Sequence, residues 1–379
     1  MDDLRARIEA VARDAGVSRI GVATVEPFVD VEAALRERRR QGMSARLGFT
    51  FRDPSRATDV RRSLPWAERL VVGARPYLPE AGHPGGRRPG EGRIARFAVD
   101  DSYLPLRRGL EAVAGLLRSE GHRAELLVDD SRLVDRAAAV RAGVGWWGKN
   151  TMVLAPGDGP WLLLGSVVTD ARLEPDRPMR RDCGRCEACL PACPTGALVA
   201  PGVLDARRCI AYWLQAPGSI PRHLRGAIGD RFYGCDDCLE ACPPGRKPLT
   251  GTAGRRGLVD LRWVLSASDD ELLAAFGRFY IPRRNPDILR RNALVALGNG
   301  GDEADAEVVD RYLDHPDPML RVHAVWALGR LAPSALTLRL SRLLEDPDPE
   351  VVDEVREFLA AGSEAGMETF RPSRSSEAS

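Results

Sequence analysis

The residues best equipped for chemistry are eight cysteines, all between positions 183 and 242 of a 379-residue chain. Cys183, Cys186, Cys189 and Cys193 follow one another at intervals of three, three and four, and Pro194 comes next. Cys235, Cys238 and Cys242 repeat the later part of that pattern, again before a proline, and Cys209 stands alone between the two runs. The first run has the full spacing with which a ferredoxin-type loop wraps three thiolates around one [4Fe–4S] cluster and sends the fourth to a second cluster.

The second run lacks its first cysteine, because Phe232 occupies that place. Cys209 can fill the gap. The crossed rule then assigns Cys183, Cys186, Cys189 and Cys242 to one cluster, and Cys193, Cys209, Cys235 and Cys238 to the other. Paired zinc sites also use paired cysteines, but structural zinc rarely needs a four-cysteine run closed by proline. The chemistry expected is electron transfer into a redox reaction.

The elements that must position these thiols fall into three textures. Residues 1–170 read as a mixed α/β domain: an amphipathic helix over 4–15, apolar strands at 20–23, 70–74, 125–128 and 161–168, and a helix over 103–120. Residues 79–92 hold three prolines and five glycines and read as a loop. Residues 171–254 carry every cysteine, with few periodic segments, as expected of a module held by its metal. From 255 to 365 the chain is helical. Ala293–Gly298 recurs as Ala324–Gly329, and Pro316-Asp317-Pro318 recurs as Pro347-Asp348-Pro349, all at an offset of 31 residues. Such an offset marks a HEAT-like helical array. Residues 366–379 read as a disordered tail. The fold class expected is α+β with a ferredoxin-like module and helical repeats.

A hydrophobic content of 44% permits an ordinary core, and no run of about 18 apolar residues predicts a membrane span. The charged start lacks a signal-peptide core, so a cytoplasmic protein is expected. Cysteines in a reducing compartment point to metal rather than disulfides. A net charge of +1 gives no global attraction for nucleic acid. Lys149 and Lys247 are the chain's two lysines; nearly all other basic charge is arginine.

Two further features could serve a redox acceptor. Gly143-Val144-Gly145-Trp146-Trp147-Gly148 precedes Lys149 and Asn150. It is either a tight turn with structural tryptophans or a close approach to a bulky planar cofactor; its tryptophans leave no space for a pyrophosphate. Asp129 ends an apolar run. Beside a large apolar cofactor its carboxyl would be raised in pKa and could donate a proton, whereas an Asp-Asp-Ser sequence also reads as a helix cap through Asp130 or Ser131.

Together these motifs resemble the epoxyqueuosine reductase family. The likeness lies in Val128-Asp129 with Leu133-Val134-Asp135-Arg136, the run from Ala142 to Asn150, Cys209-Ile210-Ala211-Tyr212, Tyr233-Gly234-Cys235-Asp236-Asp237-Cys238 and the HEAT-like end. The family is cobalamin-dependent, carries two clusters, is related to reductive dehalogenases and removes the epoxide oxygen of epoxyqueuosine in the tRNA anticodon loop. The resemblance implies a nitroreductase-like sheet holding base-off cobalamin, with Asp129 as proton donor. It implies that Arg52, Lys149, Asn150, Val153 and Leu164 line the corrinoid, and that the repeats hold the anticodon stem-loop. No Asp-x-His-x-x-Gly motif for a lower-face histidine occurs.

The tRNA expectation has local support: Arg278, Arg283, Arg284, Arg290 and Arg291 fall within 14 residues whose sole acid is Asp287. Of these, Arg283, Arg284, Arg290 and Arg291 are the expected phosphate contacts; a solvated helix face is the plainer alternative. An external flavodoxin or ferredoxin is the expected electron donor, and a monomer the expected state. The chain departs from the family's usual wording at Ser102-Tyr103-Leu104, at Ala211–Ala216 and at Pro244-Gly245. Two alternatives therefore stand beside the family activity: a corrinoid iron–sulfur reductase of another small epoxide or organohalide, and a non-enzymatic electron carrier.

Overall fold

The structure, a computed structural model, describes residues 2–78, 88–249 and 255–368. The chain forms two compact units, each discontinuous in sequence. The first gathers Met1–Gly85, Ala95–Trp213 and Gly234–Gly257; the second gathers Gly86–Ile94, Leu214–Tyr233 and Leu258–Ser379. These lines differ from divisions at residues 170 and 254, since the cysteine module shares a unit with the sheet and residues 214–233 fold with the repeats.

In the first unit four strands lie in the order Arg19–Thr24, Arg69–Pro76, Leu162–Thr169, Ala124–Leu127, antiparallel throughout. They form where the apolar runs were read, because each run alternates between two buried faces. Val22, Val71 and Val167 face a core with Ile8, Leu106, Leu110, Val113 and Leu117 of the helices Asp2–Asp14 and Tyr103–Ser119. Ala23, Leu70, Val72 and Val168 face the other way, onto Val60, Leu64 and Ala137–Ala139. Each fully buried Leu or Val contributes about 1.5–3 kcal/mol relative to exposure.

The second unit stacks the long helices Asp287–Gly300, Pro318–Leu331 and Pro349–Glu368, whose starts lie 31 residues apart. The recurring glycine has a packing reason. A Cβ on Gly298 would stand 2.6 Å from the Trp326 ring, and one on Gly329 would stand 2.8 Å from the Phe358 ring. Each repeat thus seats an aromatic of the next helix against bare backbone. A short sheet, Arg231–Tyr233, Glu91–Ile94 and Leu258–Asp260, belongs to the same unit.

Two expectations need adjustment. Glu91 and Gly92, read as loop, begin a strand, while residues 79–87 lie outside the described residues. The last helix runs to Glu368, three residues into the expected tail; the remainder of that tail lies outside the described residues. No described helix is long and apolar enough to cross a membrane.

Candidate active site

All eight cysteines are free thiols, and their mutual electrostatics divide them. The Cys242 thiol feels Cys183, Cys189 and Cys186, and Cys189 feels Cys183 and Cys186. The Cys238 thiol feels Cys235, Cys209 and Cys193, and Cys209 feels Cys193. Burial pushes Cys242 up to about 11 and raises Cys189, Cys209 and Cys238. Crowded, buried thiols are poor isolated anions; an iron–sulfur core supplies the positive charge that lets them serve as thiolates. The backbone prepares for that charge. Ala197 N–H donates to Cys193 Sγ at 3.2 Å, the main-chain amides of Ala211 and Tyr212 favour the Cys209 thiolate, and that of Gly245 favours the Cys242 thiolate. Phe232, at the position of the missing cysteine, is fully buried and packs 5.3 Å from the Phe276 ring.

The Gly-rich segment is a β-hairpin, Trp146–Trp147 paired with Val153–Leu154. Its turn closes through Gly148 N–H to Met152 O at 2.7 Å. The hairpin is built onto the cysteine module. Trp146 and Leu154 pack with Cys242. The Gly202 amide donates to Lys149 O at 2.8 Å, and Asn150 Nδ2 to Cys238 O at 3.5 Å. Asn150 is buried, with Oδ1 accepting the Met152 amide at 3.1 Å. Lys149 Nζ pairs with Glu187 at 3.2 Å and favours the Cys189 thiolate. Lys149 and Asn150 thus address the cluster loops.

Asp129 follows the strand Ala124–Leu127 and adopts a left-handed backbone, φ 52°. It lies two residues past Leu127, the last residue of that strand, whose register partner is Ser166. Val153 and Leu164 belong to one core cluster. Arg52 is exposed on the loop after Gly48, whose carbonyl accepts its amide at 2.7 Å; among the described residues no hydrogen bond joins it to Val153 or Leu164. Desolvation raises the Asp129 pKa above its ordinary value, against the pull of Arg107 and Arg136. Asp129 and Arg136 keep water-accessible surface, yet the surrounding protein disfavours the charge on each.

The reading from sequence gave no role to Tyr103, Arg107, Asp135 or Arg136. Tyr103 and Arg107 are four residues apart at the start of one helix, and that spacing places both on one face. Tyr103 is raised by burial and then by the Asp129 charge, and Arg107 Nη2 donates to Val128 O at 2.6 Å. Asp135 is raised by burial and by Asp129, and its Oδ1 has no hydrogen-bond partner. Asp130 is no helix cap. It binds Arg132 with both oxygens, at 3.0 and 2.7 Å, while the helix Asp135–Arg141 starts after Val134 without a side-chain cap.

The second unit separates the four arginines expected to meet phosphate. Arg290 and Arg291 are corrected: they are 8% and 0% exposed. Arg290 pairs with Asp287 and Asp269 at 2.7 and 2.6 Å; Arg291 Nη1 donates to Ala216 O at 2.7 Å and Nη2 to Asn292 Oδ1 at 2.8 Å. Buried guanidinium groups must be hydrogen-bonded internally, so these hold the helix in place. Arg283 and Arg284 are exposed, and both carry left-handed backbone, φ 54° and 53°. That conformation costs a non-glycine residue about 1–2 kcal/mol.

Comparison with known proteins agrees with this anatomy. Residues 182–245 match the 4Fe-4S double cluster binding domain and residues 280–360 match HEAT repeats. The epoxyqueuosine reductase of Bacillus subtilis is 32% identical over 96% of this chain and 97% of its own length; that of Bacillus cereus is 30% identical over 94% and 97%. The crystal structure of an epoxyqueuosine reductase with an epoxyqueuosine-modified tRNA-Tyr stem loop superposes with a TM-score of 0.86 at 31% identity, covering 94% of this chain and 98% of that one. The enzyme of Streptococcus thermophilus superposes equally well, at 29% identity over 95% and 99%. Likeness of this extent, from the sheet through the cysteine module to the repeats, places the chain in the epoxyqueuosine reductase family.

Proposed function

We propose that this chain reduces epoxyqueuosine to queuosine in the anticodon loop of tRNA. The observation that carries the reading is its superposition, over 94% of its length, on a relative crystallised with an epoxyqueuosine-modified stem loop. The two thiol groups are assigned as the ligands of two [4Fe–4S] clusters, in the crossed division given above. Removing an epoxide oxygen as water takes two electrons and two protons. The electrons enter singly through the clusters from an external low-potential protein such as a flavodoxin or ferredoxin.

A corrinoid is assigned to the first unit, in which the apolar side chains of Leu47, Phe49, Leu104 and Trp147 are exposed (42%, 46%, 42% and 41%) and available to meet a macrocycle. When bound, that group supplies a strongly reducing, nucleophilic metal for the epoxide carbon. Val153, Leu164 and Arg52 are assigned to its surroundings. Lys149 and Asn150 hold the hairpin between it and the clusters.

Asp129 is the proton donor in this reading. Desolvation keeps its carboxyl protonated at higher pH than an exposed aspartate, and the proton goes to the departing oxygen. Arg283 and Arg284 are assigned to tRNA phosphates. The test is tRNA from a strain deleted for this gene: epoxyqueuosine should accumulate and the wild-type gene should restore queuosine. Full queuosine in the deletion strain sinks the reading.

A further inference from the structure

In the second unit, the segment before Arg283 carries an aromatic ring that the fold does not use. Tyr280 is 68% exposed, and its hydroxyl makes no hydrogen bond with any described residue. Its main chain is held from both sides by one group: Tyr233 Oη accepts the Tyr280 amide at 2.8 Å and donates to the Tyr280 carbonyl at 3.2 Å. The preceding ring, Phe279, stacks on Tyr233 at 3.9 Å and 17°, and the Arg278 guanidinium lies 4.9 Å from its centroid. Tyr280 is therefore an outward ring on an immobilised base.

Its neighbours carry charge to match. The guanidinium groups of Arg283 and Arg284 are exposed and pair with no described residue. Asp287, the nearest acid in sequence, is occupied by Arg290. Two consecutive left-handed arginines keep those cations on a tight turn three and four residues from the ring. An aromatic face beside uncompensated guanidinium groups matches a splayed nucleotide, whose base stacks while its phosphates take the charge.

We propose that Tyr280 is a stacking platform for an unpaired base of the RNA substrate, next to phosphates held by Arg283 and Arg284. This rests on the tRNA reading and adds to it a residue that separates looped from double-stranded RNA.

The experiment titrates the cluster-loaded full chain with an unmodified anticodon stem-loop RNA and with a loop-free duplex, over a range of salt. A second series places 2-aminopurine at each unpaired loop position in turn. Tyr280→Ala should weaken stem-loop binding about five- to a hundredfold, leave the salt slope unchanged and restore fluorescence at one loop position. Tyr280→Phe should bind like wild type. Arg283→Gly and Arg284→Gly should each reduce the salt slope by about one. Stem-loop affinity within twofold of wild type in Tyr280→Ala, with emission unchanged at every position, overturns the stacking role while the tRNA reading stands. So does an equal loss in Tyr280→Phe, which would make the hydroxyl the contact. A wild-type protein that binds duplex and stem-loop alike overturns both.

Discussion

The Asp135 carboxyl feels the charge of Asp129, which disfavours its ionised form, and the Asp129 main-chain amide, which favours it. Asp135 sits on the first turn of the helix Asp135–Arg141, while Asp129 occupies a left-handed conformation that L-residues avoid. This pairing helps to set the acid-bearing loop in that shape. Asp135→Ala should lower single-turnover reduction about ten- to a hundredfold with iron content unchanged, because a misplaced donor is a poor one. Asp135→Asn retains an acceptor oxygen and should recover most of the rate.

Asp129→Asn tests the proton itself. Asparagine is among the residues that tolerate a positive φ, so the loop should keep its form. Turnover should fall about 10²- to 10⁴-fold while iron and corrinoid binding persist. In the wild type the raised pKa predicts activity that declines as pH rises through it. The same shift acts on stability in a fixed direction. The folded state binds the proton more tightly than the unfolded chain, so this group's contribution is most favourable below the ordinary aspartate value of about 3.9. It weakens as pH climbs from there to the raised value, and the Asn variant should lack that component in pH-dependent melts.

Lys149 brings a cation to the loop of Cys186 and Cys189 through Glu187. Replacing it with methionine should lower the reduction potential of one cluster by tens of millivolts and leave the other in place, with Lys149→Arg close to wild type. Potentiometric titration followed by EPR reads both clusters.

Cys209→Ser should reduce the iron content from about eight to about four per chain, with the surviving cluster held by Cys183, Cys186, Cys189 and Cys242. Retention of all the iron would refute the crossed division.

Arg283 and Arg291 should respond in opposite ways. Arg283→Gly relieves a left-handed arginine and should leave the unfolding free energy unchanged or raise it by up to about 1 kcal/mol, while RNA binding weakens. Arg291→Ala strips the donors from the Ala216 carbonyl and Asn292 and should cost about 3 kcal/mol or more.

That pair also shows what local sequence could carry. The strands and the cysteine spacing were legible because alternation and ligand intervals are local patterns. The arginine run was not, because the helix Asp287–Gly300 is buried from Ile288 to Gly298 and no short-range periodicity reveals this. The cover includes the segment 214–233, about 70 residues earlier in the chain, where Ala216 and Leu214 receive Arg291 and Asn292. Asp135 was missed for a related reason. Its role lies in the surroundings it gives a residue six positions back, which no motif spells out.

The segment Leu214–Tyr233 lies in the chain between Cys209 and Cys235, yet it folds among the helices of the repeat unit. Arg225 in it is bound to Glu354, and His323 accepts the amide of Ile220 at 3.1 Å. Synthesis from the N-terminus therefore completes all eight cysteines before it makes the helices on which the stretch between two of them rests. A nascent or truncated chain ending near residue 257 would hold all eight cysteines and still lack the helices among which residues 214–233 fold. The stretch between two of the cysteines should therefore stay unfolded until the repeats have been made.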